Sequence, residues 1–309
     1  MSKFGFESST YEVLAGVNLE GKQVIVTGGA SGLGFETARA LGSKGAHVVL
    51  VGRNAEKLEM AKMQLTSLGQ TKVDTELMDL EDLDSVRVAA ESLLSRYPKI
   101  DILVNNAGIM ACPLARTKQG FESQFGTNHL AHFLFTCLLA PSLIAAGEAR
   151  VVNLSSSAHH EGAVNFEDPN YETTPYHKWV AYGASKTANA LFAVGLNARL
   201  QSKGVLSYGV HPGMIATGLG RHLVPEDYAL FAAAPEPFKT EPQGAATSVW
   251  AATAPELADK GGSFLANCQV AQINDGPKHL GVKTYATSQE NADKLWEISE
   301  KMVGATFSW

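Results

Sequence analysis

"VIVTGGASGLGFETA", residues 24–38, runs a β-branched strand through a glycine-rich turn into a helical pattern. A strand that feeds a helix through Gly28, Gly32 and Gly34 brings backbone close to a ligand at the strand's carboxyl end. Gly28 permits the tight turn, Gly32 lets backbone approach a pyrophosphate, and Gly34 lets the helix pack closely on the sheet. The first N–H groups of the helix then face the phosphates. A glycine-rich helix cap with no ligand is the alternative, and the rest of the chain decides between the two.

Working outward, β-branched runs alternate with helical patterns. Strands are expected at Gln23–Thr27, His47–Val51, Val73–Met78, Ile100–Val104, Arg150–Leu154 and Leu206–Val210. Helices are expected near Leu33–Lys44, Glu56–Ser67, Leu83–Arg96, Phe121–Leu139, Tyr182–Gln201 and Asn291–Met302. Apolar strands separated by helices predict an α/β fold, a doubly wound parallel sheet of Rossmann type. The rhythm breaks after residue 212, and the Pro- and Ala-rich stretch at about 214–242 is expected to be a C-terminal substrate lid on one domain spanning 1–309. A second insert is expected at about 157–181.

Bulk properties narrow the function. The chain has 309 residues, 45% of them hydrophobic and 18% charged, which suits a single globular domain. A net charge of −6 argues against nucleic-acid binding. Cys112, Cys137 and Cys268 are widely spaced with no CxxC, which points to a reducing compartment without disulfides. The N-terminal residues lack an apolar signal stretch. The most apolar run, Leu130–Ala146, is interrupted by His132, Thr136, Pro141 and Ser142 and is expected to be a buried helix. A cytoplasmic protein with no membrane partner is the expectation. The apolar side chains of Leu130–Leu139 are candidates for a homodimer interface.

The glycine spacing is TGxxxGxG, and in this the sequence resembles the short-chain dehydrogenases/reductases. The resemblance spans about residues 20–305. It implies a nucleotide turn built from Thr27, Gly28, Ser31, Gly32, Leu33 and Gly34. It also implies an adenine contact at Asp79 and Leu80 in "LMDLED", for which helix capping is the plain alternative. "LVNNAGIM" resembles the family's NNAG segment and contributes Asn106, Ala107 and Gly108. "VHPGMIAT" resembles PGxxxT and contributes Pro212, Gly213 and Thr217. After the second strand the chain has Arg53 where an NAD-preferring fold carries a carboxylate. Arg53 suits a 2′-phosphate, so NADP(H) is favoured with NAD(H) as the lesser option; a solvated Arg53 at a helix start is the bland reading.

"AYGASKTAN", residues 181–189, places Tyr182 and Lys186 one helical turn apart. The resemblance makes them a catalytic pair that also binds cofactor. It adds Ser156 from "VVNLSSSAHH", with Ser155 and Ser157 as fallbacks, and Asn128 from "FGTNHLAHF". Reduction of a carbonyl by hydride leaves an alkoxide, so a proton donor is needed, and tyrosine at its ordinary pKa of about 10 cycles slowly at neutral pH. A neighbouring cation lowers that pKa, the role expected of Lys186. Ser156 would hold the substrate oxygen, while the resemblance has Asn128 position a relay water.

The long Ser156–Tyr182 separation, with "GAATSVWAATAPEL" and "KLWEISEKMVG", is similar to the retinol-dehydrogenase-like branch, which includes relatives of WW-domain oxidoreductase and protochlorophyllide reductase. Met110, His159, Phe166, Trp179 and Met214 are the candidate substrate contacts, with Phe231 beside them. Adjacent His159 and His160 do not make a metal site, since their side chains diverge. The expected reaction is hydride transfer to or from a hydrophobic aldehyde, ketone or secondary alcohol. A C=C or C=N reductase and a non-catalytic NADPH sensor are the alternatives.

Overall fold

A computed structural model of the chain describes residues 2–228, 236–276 and 280–309. After a short helix α1 (Thr10–Val13), the chain alternates β1 (Gln23–Thr27), α2 (Gly32–Gly42), β2 (His47–Gly52), α3 (Ala55–Ser67), β3 (Val73–Leu77), α4 (Leu83–Arg96) and β4 (Ile102–Asn105). The short α5 (Ser123–Phe125) leads through a π turn at Gly126–Leu130 into α6 (Ala131–Ala146). There follow β5 (Ala149–Leu154), α7 (Lys178–Leu200), β6 (Val205–His211), α8 (Glu241–Thr253), β7 (Phe264–Ala266), β8 (Gln269–Val270) and α9 (Gln289–Val303).

The strands form one sheet in the order β3-β2-β1-β4-β5-β6-β7-β8. β1 through β7 pair in parallel and β8 turns back antiparallel. The reversal of strand order lies between β1 and β4, so a crevice opens beyond their carboxyl ends. One face of the sheet is covered by α4, α6, α7 and α9 around Phe133, Leu191 and Trp296. The other is covered by α2, α3 and α8 around Leu41, Leu58 and Trp250. Both faces are buried, which is why the central strands read as unbroken Val/Ile/Leu runs.

All six expected strands are present. β7, β8 and α8 were not anticipated: two of them are very short, and the alanine-rich α8 carries little periodic contrast. The expected helix over Phe121–Leu139 is divided by the π turn and runs on to Ala146. The Tyr182 helix begins earlier, at Lys178, where His177 accepts a hydrogen bond from Val180 N.

The expectation for Leu130–Leu139 needs correction. Apart from partly buried Leu138, the apolar side chains of that stretch lie within their own subunit. The π turn and α6 are roofed by α9, where His129 Nε2 lies 2.8 Å from Ser299 Oγ and the Phe133 ring stands edge-on to Trp296 at 4.9 Å. The segment Ser123–Ala146 is long and apolar enough to cross a membrane, and in this fold 72% of its apolar window is buried.

Candidate active site

A cleft of about 2030 Å³ runs across the carboxyl ends of β1, β2, β4, β5 and β6. That exceeds the roughly 300–1,000 Å³ of an ordinary small-molecule pocket and leaves room for a dinucleotide beside a second molecule. Its lining includes Thr27, Gly28, Ser31, Gly32, Leu33, Gly34, Arg53, Asp79, Leu80, Asn106, Ala107, Gly108, Ser156, Tyr182, Lys186, Pro212, Gly213 and Thr217. Residues drawn from seven separate parts of the chain thus meet on one wall.

The nucleotide turn has the physical features of an anion site. Gly28 and Gly32 have φ of +65° and +53°, a backbone region that suits glycine. A Cβ on Gly34 would come within 2.3 Å of the Gly28 carbonyl oxygen, so no larger residue fits there. Helices α3, α4, α8 and α9 are each capped by a side chain, from Asn54, Asp82, Thr240 and Ser288. Helix α2 is not: Ser31 makes no capping bond, and there is no acidic residue in its first turn. Its N–H groups are left for a ligand, and the helix dipole favours a negative one. These features fit the pyrophosphate of a dinucleotide.

At the other end of that half-site, the Arg53 guanidinium is 57% exposed and lies 3.4 Å from the Glu81 carboxylate. Asp79 accepts from Glu81 N at 3.0 Å, while the cap of α4 is Asp82, so the plain capping role does not fall to Asp79. Thr217 packs against Gly32, bringing the segment after β6 over the phosphate turn.

The other end of the cleft is built on α7. Tyr182 is buried under Met110, Trp179, Leu219 and Leu223, and it lines the same wall of the cleft as Ser156. Burial pushes the Tyr182 phenol well above its ordinary value, and the Ser156 side chain offsets this in part. Lys186 donates to the Leu154 carbonyl at 3.0 Å, and burial lowers its pKa to about 8. The lowering of the Tyr182 pKa expected from Lys186 is therefore absent in the protein alone: the desolvation of a phenol in an apolar shell outweighs the ammonium. Of the fallback serines, Ser155 is committed to the Lys186 carbonyl at 2.7 Å, and Ser157 lies one residue past Ser156.

Asn128 sits in the π turn, a distortion of a kind often found at functional sites. Its side chain is fully engaged: Oδ1 accepts from Ile109 N at 2.9 Å, while Nδ2 donates to Ile109 O at 3.0 Å and to Ser185 Oγ at 2.9 Å. Ser185 in turn donates to the Tyr182 carbonyl at 2.7 Å. The Asn128 amide thus fastens the NNAG strand end to α7, while its backbone carbonyl is engaged by His132 Nδ1 at 3.0 Å.

Of the expected substrate contacts, Met110, Trp179 and Met214 line the cleft. His159 and Phe166 are not part of that lining. The His159 ring is fully buried, with Nδ1 2.6 Å from Ser156 O and Nε2 accepting from Lys283 N at 3.2 Å, so it props the serine turn from behind. Phe166 packs on the large core cluster. Phe231 lies outside the described residues. Sequence reasoning missed His132, whose ring bridges Thr27 and Asn128, and Asp227, which accepts from Lys178 Nζ at 2.6 Å and Trp179 Nε1 at 2.8 Å. The His four residues after Asn128 was a visible signal; nothing local marked Asp227.

Comparison with known proteins agrees with this geometry. A family model described as short chain dehydrogenase matches residues 22–227. The chain is 40% identical to human retinol dehydrogenase 12 over 292 residues, covering 93% of this chain and 88% of that protein. It is also 40% identical over 300 residues to a protein of Streptomyces lividans described as a probable oxidoreductase, covering 94% of this chain and all of the other (100%). A crystal structure of an uncharacterized protein from Mycobacterium paratuberculosis superposes with a TM-score of 0.74 at 34% identity, covering 94% of this chain and 97% of that one. The NADP complex of Pseudomonas aeruginosa RhlG superposes at 0.67 with 25% identity, covering 85% and 98%.

The nucleotide turn, the sheet order and the sequence match together place the chain in the short-chain dehydrogenase/reductase family, as an oxidoreductase of a family that uses NAD(P). Within that family it belongs with the retinol-dehydrogenase-like branch.

Proposed function

We propose that the protein is an NADP(H)-dependent oxidoreductase that interconverts a hydrophobic aldehyde or ketone and the corresponding alcohol. The observation that carries this reading is the convergence of Ser156, Tyr182 and Lys186 on one wall of a largely apolar cleft, beside the uncapped start of α2.

NADPH would be held by the α2 turn at Gly28, Gly32 and Gly34 and would supply the hydride. The chain supplies the rest. A substrate oxygen seated against Ser156 and Tyr182 receives two hydrogen bonds, which strengthen as negative charge develops on it. As the carbonyl carbon gains the hydride, the Tyr182 O–H bond breaks and its proton moves to that oxygen, leaving phenolate and alcohol. Protonated Lys186 stabilises the phenolate across low-dielectric surroundings, and Tyr182 is reprotonated before the next turnover. In the oxidative direction the same proton returns to Tyr182. The high phenol pKa of the protein alone favours the protonated, reductive form.

Met110, Trp179, Met214, Leu219 and Leu223 supply the apolar wall around this point. The insert at about 157–181 and the lid residues 214–228 close over it, with Asp227 joining them through Lys178 and Trp179; residues 229–235 of the expected lid lie outside the described residues. Arg53 selects NADP(H) by pairing with the 2′-phosphate.

The test follows NADPH and NADH oxidation against a panel of bulky aldehydes and ketones, with Tyr182→Phe alongside the wild type. The expected result is NADPH-dependent turnover that falls by about 10²–10⁴-fold in the variant. Turnover retained in Tyr182→Phe, or no carbonyl reduced at all while dinucleotide binds, would overturn the reading.

A further inference from the structure

His211 is the last residue of β6, immediately before Pro212–Gly213, and it lines the cleft. Nothing in the sequence pattern gave it a role. The structure fixes its chemistry in three steps. First, its Nδ1 accepts a hydrogen bond from Ser157 N at 3.1 Å. A ring nitrogen that accepts carries no proton, so the ring is neutral and its proton is on Nε2. Second, the residue is only 9% exposed, and the buried setting holds its pKa down, to about 3, with His159 and Lys239 adding to the effect. Third, Nε2 donates to no described residue and is not among the fully enclosed unpartnered atoms, so it opens onto the cleft that His211 lines. The result is a neutral N–H donor on the cleft wall, anchored from behind by the amide next to Ser156.

A fixed N–H that faces a cleft and is satisfied there only by water is available to a ligand oxygen that displaces the water. We propose that His211 Nε2–H is a ligand-binding donor that recognises a neutral oxygen acceptor at the reactive end of the cleft. Two molecules that meet there carry such an oxygen: the carboxamide of the nicotinamide ring and the substrate itself. The tether to Ser157 N couples this donor to the turn that carries Ser156. Filling the Nε2 position therefore also settles the turn that holds Ser156 on the wall it shares with Tyr182. This inference rests on the proposed function for the identity of the ligands, while the donor itself is read from the geometry of this chain.

Two near-isosteric substitutions separate the donor from the tether. In His211→Asn the side-chain oxygen can take the place of Nδ1 and keep the Ser157 bond, but nothing reaches the place of Nε2. In His211→Gln the terminal amide reaches the place of Nε2 and the Ser157 acceptor is lost. Binding of the preferred dinucleotide, and of its analogue lacking the nicotinamide ring, is measured by titration for wild type and both variants. Steady-state kinetics with a reducible carbonyl follow.

If the cofactor carboxamide is the acceptor, His211→Asn weakens dinucleotide binding by about five- to tenfold, leaves the ring-less analogue unchanged, and is partly rescued in His211→Gln. If the substrate oxygen is the acceptor, dinucleotide binding is unchanged and kcat/KM falls by a similar factor in the same order of variants. Unchanged binding and kinetics in His211→Asn would overturn the inference. So would a His211→Gln variant more damaged than His211→Asn, because the tether alone would then account for the residue. Absence of turnover in the wild type would sink the proposed function by itself, and the binding arm would then decide the role of His211.

Discussion

The Thr27 hydroxyl lies 2.9 Å from Nε2 of His132. Both lone pairs of that hydroxyl are taken, by the amides of Asn106 and Ala107 at 2.9 and 3.0 Å, so its proton is directed to the imidazole. His132 then carries its own proton on Nδ1, 3.0 Å from the Asn128 carbonyl. Nucleotide turn, NNAG segment and π turn are held in one chain of hydrogen bonds whose polarity allows only the neutral ring. Substituting His132→Phe strands the buried Asn128 carbonyl and leaves the Thr27 hydroxyl only the Val104 carbonyl at 3.4 Å. The expected loss is about 2–5 kcal/mol in urea unfolding; a loss under about 1 kcal/mol would show that water takes over both bonds.

Stability should fall steeply in mild acid. Burial holds His129 at about 3, His132 at about 4 and His211 at about 3, against an ordinary value of 6.5. Each folded value lies below the unfolded one, so between them the unfolded chain binds more protons. Their contribution is complete above pH 6.5 and is lost as pH falls toward the folded values. With all three in play near pH 5, unfolding takes up about three extra protons, a slope of roughly 4 kcal/mol per pH unit. Urea titrations between pH 5 and 7.5 measure that slope. An uptake of one proton or fewer would mean that these rings are not buried as neutral groups.

Arg53 and Glu81 form an exposed pair on the cleft wall, where the proposed NADP(H) would place its 2′-phosphate. Arg53→Ala should weaken NADPH binding about tenfold and leave NADH nearly unchanged, since a bidentate charge-assisted contact is lost only for the phosphate. Glu81→Gln removes a competing anion and should tighten NADPH modestly, by about two- to threefold given the exposure of the pair. A wild type that prefers NADH would contradict both expectations.

Gly34 gives a steric test of the turn. Its φ is ordinary, so conformational freedom is not at issue; a methyl group would sit 2.3 Å from Gly28 O and 2.5 Å from Asn106 Nδ2. Gly34→Ala must push the helix start away from the turn. It should abolish dinucleotide binding and cost about 1–3 kcal/mol of stability. Unimpaired binding in a folded Gly34→Ala variant would show that the close packing is not needed.

Most of this architecture was legible in the sequence because the parallel strands are short, apolar and separated by periodic helices. The cradle was legible for a different reason, the steric demands that only glycine meets. What stayed hidden depends on distant partners. His159 and Ser156 are three residues apart, yet only the fold shows that one braces the other through a carbonyl. Asp227 is an ordinary loop carboxylate until α7 brings Lys178 and Trp179 to it. The depressed Lys186 was readable as a residue type, but the competition that leaves Tyr182 raised is a property of burial.

The roof over α6 has a consequence for how the protein is made. Ser299 and Trp296 complete the surroundings of His129 and Phe133, residues that leave the ribosome far earlier. Until α9 emerges, the helix carrying Tyr182 and Lys186 has an uncovered apolar flank, since Phe192 also packs against Trp296. Synthesis at about 5–20 residues per second leaves that flank bare for several seconds or more. A nascent chain in this interval is a natural client for a chaperone that holds exposed apolar helices, and its catalytic geometry can settle only after the last helix has docked.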